Sequence, residues 1–207
     1  NDKATAQWCV IGALGALQQR HVTGKGCVID TSLLDSAASW VDSSLATYHI
    51  TQELSPRTGA ATPTIVPYQA FETADHPLVI AAGYDRLFHK LATVLGFPEW
   101  CTDPRFAKGR DRFVNRDALI GLLKPVLLTK TRGEWLAAFE AVGVPCSPVN
   151  TIVELSQTEQ FKASDLLRTL PGSDLPVVGL PISFDGRRPH PHSGAPRLGQ
   201  HNDELLG

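Results

Sequence analysis

The chain has 207 residues, 43% of them hydrophobic and 19% charged, with a formal net charge of −2. That length and apolar content suffice for a buried core without disulfide or metal staples, and they exclude a disordered chain. The charge balance carries no basic stripe, which argues against a nucleic-acid partner, and no run of 18 apolar residues predicts a membrane span.

Residues 3–22 read as a helix, with Ala4, Trp8, Ile11, Leu14 and Leu17 at helical spacing. Apolar positions run almost all round it, which predicts burial on most sides. Gly12 and Gly15 are its expected points of close backbone approach. Thr23-Gly24-Lys25-Gly26 stops it with a glycine suited to the left-handed cap. Cys27–Leu33 predicts a strand, and Leu34 to Thr51 a second helix. Residues 53–67, rich in Pro, Gly and Thr, predict a loop and a domain boundary.

Tyr68–Thr73 and Leu78–Ala82 predict an antiparallel hairpin joined through Ala74-Asp75-His76-Pro77. A helix from Tyr84-Asp85 to Leu95 is ended by Gly96 and Pro98. Asn115–Leu128 and Arg132–Val142 follow as helices, with Pro125 expected to kink or shorten the first. Residues 72–150 thus predict a compact α+β unit. Beyond them lie a short helix around Thr158–Leu167, strand-like runs at Leu175–Gly179 and Pro181–Phe184, and a turn-rich tail ending in a helical start.

The motifs of common chemistry are thin. Gly24-Lys25-Gly26 lacks the upstream glycine and following hydroxyl of a phosphate loop, and neither G-x-S-x-G nor G-x-G-x-x-G occurs. Pro189-His190-Pro191-His192 with His201 reads better as a solvated tail than as a metal site, because the prolines hold the backbone extended. Cys146 reads as a packed loop thiol, with no helix start or basic neighbour to activate it. The four scattered cysteines suit free thiols in a reducing compartment, and hence a cytoplasmic protein, or a mitochondrial or peroxisomal one in a eukaryote. Asp2 is the expected N-cap of the first helix. Negative charge is favoured at a helix N-terminus, and an ionised, partly desolvated carboxylate is also what covalent acyl transfer needs.

Several blocks together resemble one family. They are Gly12-Ala13-Leu14-Gly15-Ala16-Leu17, Thr23-Gly24-Lys25-Gly26, Ile29-Asp30-Thr31-Ser32-Leu33-Leu34-Asp35, Ile65-Val66-Pro67-Tyr68-Gln69-Ala70-Phe71, Asp103-Pro104-Arg105-Phe106, Asn115-Arg116, Glu134-Trp135-Leu136, Gly143–Asn150 and Leu198-Gly199-Gln200-His201. In this order and spacing they resemble the class III CoA-transferases of the CaiB/BaiF type, nearest to the branch acting on short dicarboxylic acids such as succinate and hydroxymethylglutarate. The resemblance covers about the C-terminal half of a family member. With Asn1 first and no methionine in the chain, the expectation is a processed product or a fragment, inactive and poorly folded by itself.

The resemblance implies an α/β fold: a partial Rossmann-like large domain plus a small α+β domain, in an interlocked homodimer. Residues 1–52 would belong to the large domain and connector, 53–150 to the small domain, and 151–207 to a return segment. It implies transfer of CoA from an acyl-CoA to a carboxylic acid, with CoA as substrate and no bound cofactor or metal. Asp2 falls on the family's catalytic aspartate, though Ala6 replaces a glycine in Asp2-Lys3-Ala4-Thr5-Ala6. Gly59 would sit in a loop closing over the intermediate, where Thr62 replaces a histidine, and Tyr68 and Gln69 would line the substrate pocket. The rival readings are an α-methylacyl-CoA racemase and an inactive remnant.

Overall fold

In the computed structural model, residues 1–54 and 56–207 are described, and Ser55, in the loop expected over 53–67, lies outside them. The chain divides into two compact units, Asn1–Ile65 and Val66–Gly207.

The first unit opens with α1 (Asp2–Thr23). Gly24, at φ 71°, closes it by donating its backbone N–H to the Arg20 carbonyl. Asp2 in the first turn and Arg20 and His21 in the last complement the helix dipole. Residues 27–32 do not form the expected strand. They pair with no other strand among the described residues, and an extended segment without a ladder partner gains no sheet hydrogen bonds. Ser32 instead caps α2 (Leu33–Ser39) by accepting from the Asp35 backbone N–H. The expected single helix to Thr51 is two, with Trp40 and Val41 separating α2 from α3 (Asp42–Thr51).

The expected burial of α1 is also not found: no residue of the helix is buried, and Trp8, Ile11, Leu14 and Leu17 stay half exposed. Apolar spacing states what a helix prefers to cover, but burial needs neighbours. Gly12 is a close-approach point, since a Cβ there would lie 2.9 Å from Ile29 Cγ2, whereas Gly15 faces open space.

The second unit holds the core. β1 (Tyr68–Phe71), β2 (Leu78–Ala81) and β3 (Cys146–Pro148) form an antiparallel sheet in the order β1-β2-β3. Tyr68 pairs with Ala81, Phe71 with Leu78, and Ile80 with Cys146. β3 escapes a sequence reading because it is short and proline-flanked, a composition tolerated on an edge strand. Leu78 and Ile80 of β2 point into the core, where α4 (Asp85–Leu95) lays Phe88, Leu91, Ala92 and Leu95.

A 3₁₀ turn at Pro98–Cys101 stacks Trp100 on Phe97 at 4.6 Å, ahead of α5 (Gly109–Val114). α6 (Arg116–Leu127) adds Leu119, Ile120, Leu123 and Leu127, and it ends two residues after Pro125. α7 (Arg132–Val142) starts with a reciprocal Thr131–Glu134 capping box and stops at Gly143, φ 69°. Its Trp135 donates Nε1–H to the Leu127 carbonyl at 2.8 Å and stacks on Phe139.

α8 (Ile152–Gln157), not expected from sequence, uses a second capping box, Thr151–Glu154. α9 (Glu159–Ser164) replaces the longer helix expected there. β4 (Leu167–Thr169) pairs with β5 (Pro176–Val178), and the run expected at 181–184 forms only a single bridge, Phe184 to Arg187. α10 (Asn202–Leu206) closes the chain. No helix of the chain's described residues is long and apolar enough to cross a membrane.

Candidate active site

Asp2 is the first residue inside α1, and Asn1 takes the N-cap position that sequence had assigned to Asp2. The Asp2 carboxylate lines an open recess with Asn1, Lys3, Ala4 and Trp40. The local pairing of α1 with α2 builds this recess. Thr5 donates its hydroxyl hydrogen to Ser36 Oγ at 2.9 Å, and Ser36, the one buried polar residue of this unit among the described residues, donates to the Ser32 carbonyl. Asp2 lies three residues before Thr5 and Trp40 four after Ser36, so each shares a helix face with one partner of that contact. The Thr5–Ser36 bond therefore sets the carboxylate beside the indole. The Asp2 carboxylate makes no hydrogen bond or ion pair among the described residues, which leaves its oxygens available to a ligand. Sequence reasoning missed Trp40, because its role depends on a contact 31 residues apart in the chain.

Gly59 belongs to the first unit as well. It occupies the second position of a turn from Thr58 to Ala61, closed by the Ala61 N–H on the Thr58 carbonyl at 3.1 Å. Its φ of +60° is the left-handed region that favours glycine, and the space around an added Cβ is open. Thr58 also donates its hydroxyl to the Ala61 carbonyl at 2.6 Å, so the turn is doubly bonded.

Tyr68 and Gln69 lie in the second unit, consecutive on β1 and so on opposite faces of the sheet. Tyr68 is the more exposed, and Gln69, opposite Ile80, is half-buried. The entry to β1 is held by a residue that sequence did not single out. Arg112 of α5 is fully buried and donates to the carbonyls of Val66 (3.1 Å), Phe106 (2.8 Å) and Gly83 (2.6 Å) and to Asp85 Oδ1 (2.9 Å). Its guanidinium also lies over the Phe88 ring, 4.5 Å from the ring centroid. The Arg112 hydrogen bond holds the Asp85 carboxyl below its ordinary range. No spacing rule marks such an arginine, since its partners come from three separate stretches of chain.

Cys146 sits half-buried on β3, and burial pushes its thiol up, away from a nucleophilic thiolate. Burial pushes the Cys101 thiol up too. All four cysteines are free. Among the described residues no group of three His, Cys, Asp or Glu side chains could hold a metal ion.

Comparison with known proteins agrees with the fold. The chain is 34% identical over 195 residues to the acetyl-CoA:oxalate CoA-transferase of Acetobacter aceti, covering 94% of this chain and 50% of that protein. It is 30% identical over 208 residues to the succinyl-CoA:glutarate CoA-transferase of Mus musculus, covering 99% and 48%. A crystal structure of a CAIB/BAIF family protein from Brucella suis superposes with a TM-score of 0.80 at 33% identity, over 98% of this chain and 53% of that one. The chain thus spans about half the length of the curated relatives it matches, and its mixed α/β fold is that of the solved family structures. The family model for CoA-transferase family III matches residues 1–202, from the helix that Asp2 opens to the last helix of the tail, and the chain belongs to that family.

Proposed function

We propose that the protein carrying this chain transfers CoA from an acyl-CoA to a short dicarboxylic acid, with Asp2 as the covalent carboxylate. The observation that carries this reading is an Asp2 carboxylate without a side-chain partner among the described residues, at the opening of a family match that runs from residue 1 to 202. Relatives named for oxalate and glutarate support a dicarboxylate acceptor.

In this reading an Asp2 oxygen attacks the thioester carbonyl of the donor. The C–S bond breaks, CoA leaves as thiolate, and Asp2 holds a mixed anhydride. The thiolate then attacks the Asp2 carbonyl carbon, releases the donor acid as its carboxylate, and leaves an aspartyl-CoA thioester. An acceptor carboxylate attacks that thioester and expels the thiolate. Attack of the thiolate on the acceptor acyl carbon forms the new acyl-CoA and restores the Asp2 carboxylate, with no net proton change. Each tetrahedral intermediate needs hydrogen-bond donors at its oxyanion, and each anhydride needs shielding from water. The indole of Trp40 offers an apolar wall beside Asp2, Gly59 lies in a loop that closes over the intermediate, and Tyr68 and Gln69 contact substrate. Residues 1–52 and 151–207 belong to a large domain, residues 53–150 to a small one, and the active form is a homodimer.

The test is mass spectrometry of the protein incubated with succinyl-CoA. An adduct on the peptide containing Asp2 is expected, lost in Asp2→Asn together with roughly three orders of magnitude or more of turnover. Normal turnover by that variant sinks the assignment. Exchange of an α-proton of an acyl-CoA with deuterium in the absence of an acceptor acid would instead identify a racemase.

A further inference from the structure

The second unit carries a cationic cleft that the reaction above does not use. It is about 630 Å³ and is lined by Asp165, Arg168, Arg187, Arg188 and His190, together with small residues. That volume lies in the range of small-molecule sites.

Local structure fixes its walls. Asp165 follows α9 in the left-handed conformation, φ 50°, and ion-pairs with Arg168 of β4 at 2.6 Å. Across the cleft, Asp185 and Gly186 both have positive φ, 48° and 76°, between two backbone bonds that join Phe184 to Arg187 at 2.8 and 2.9 Å. Consecutive positive φ values in an Asp-Gly pair between bridged residues are the signature of a type I′ turn. This turn delivers Arg187 and Arg188 to the cleft. Arg188 is braced in turn: its Nε donates to the Ser164 carbonyl and its Nη1 to the Leu180 carbonyl, both at 3.0 Å.

The charges do not cancel. Arg168 has the Asp165 carboxylate, but Arg188 spends its hydrogen bonds on neutral carbonyls, and the Arg187 guanidinium has no carboxylate partner among the described residues. The lining thus carries three arginines against one carboxylate, a surplus of two positive charges around one space. Guanidinium forks match phosphate oxygens bidentately, and a phosphate ester carries up to about two negative charges at neutral pH. We propose that this cleft binds the phosphate or diphosphate group of a small phosphorylated molecule. The proposal is independent of the CoA-transfer reading.

Calorimetric titration of the full chain with inorganic pyrophosphate tests it, with succinate as the dicarboxylate arm at matched ionic strength. Pyrophosphate is expected to bind with a Kd below about 1 mM, more weakly as salt is raised. Arg187→Ala is the informative variant, because that side chain makes no hydrogen bond or ion pair among the described residues, and it is expected to weaken binding about tenfold or more. Arg197→Ala, in the same tail but outside the cleft lining, is expected to leave binding unchanged. Circular dichroism of each variant confirms the fold. No binding of pyrophosphate, equal binding by Arg187→Ala, or binding of succinate as tight as that of pyrophosphate would each overturn the proposal.

Discussion

Arg112 shows how one side chain ties the start of a strand to two other stretches of chain. It sits at the open end of the β1–β2 hairpin and grips Val66 before β1 and Gly83 after β2. Arg112→Met would leave the Val66, Gly83 and Phe106 carbonyls short of a donor and take the nearest cation from the partly exposed Asp85 carboxylate. The expected cost is about 3–5 kcal/mol in chemical denaturation, with a smaller loss for Arg112→Lys, which keeps the charge but not the planar fork. A loss below about 1 kcal/mol in Arg112→Met would show that the grip is dispensable. Two glycines on α1 give a second contrast. Gly15→Ala, with nothing within 4 Å of the added Cβ, should stabilise the helix by about 1 kcal/mol. Gly12→Ala should gain less or lose, because the stiff β-branched Ile29 must give way. Amide exchange along α1 reads both, and an equal gain from the two substitutions would contradict the close approach.

At the level of elements, Arg132 links the β1–β2 turn, α7 and α8. Its backbone N–H donates to Asp75 Oδ1 at 2.7 Å, and its side chain donates to the Val149 carbonyl and to Glu154. Asp75 also accepts from the Thr73 hydroxyl and the His76 N–H, and these donors, led by the Arg132 N–H, hold its carboxyl down to about 2. The Thr151 N–H and Arg132 hold Glu154 down to about 2 as well. Both folded-state values are depressed, so the unfolded chain takes up protons first as pH falls. The stability these groups supply is present above about pH 4 and is lost as pH drops through about 2. Acid unfolding followed by fluorescence should show that loss, and Asp75→Asn should flatten it. An unchanged slope in the variant would mean that other carboxylates carry the acid response.

Taken as a whole, the chain distributes its core unevenly. Every buried hydrophobic residue of the described chain falls between Val66 and Val144, while the first unit buries only Ser36. Opening is easiest where few apolar contacts are lost. Limited proteolysis of the chain should therefore cut first between residues 24 and 65 and leave a resistant core beginning near residue 66. Early cuts within α4, α6 or α7 would refute this distribution of stability.

The sequence alone determined the elements whose signals are local. α4 and α7 carry an apolar face and a closing glycine, and they end where Gly96 and Gly143 turn left-handed. The β1–β2 hairpin follows from two short apolar runs around a turn, and Asp2 at the head of α1 was legible as a candidate from family resemblance. Only the tertiary structure decided the rest. Residues 27–32 formed no strand among the described residues, and β3 formed from a Cys-Ser-Pro stretch because β2 offered it an edge. Arg112 became the clamp on β1, and Trp40 joined Asp2 through the Thr5–Ser36 bond. Capping, turn conformation and periodicity depend on a few neighbouring residues and can be read along the chain. Strand partners, buried ion anchors and recess walls depend on groups tens of residues apart, and their identity exists only once the chain has folded.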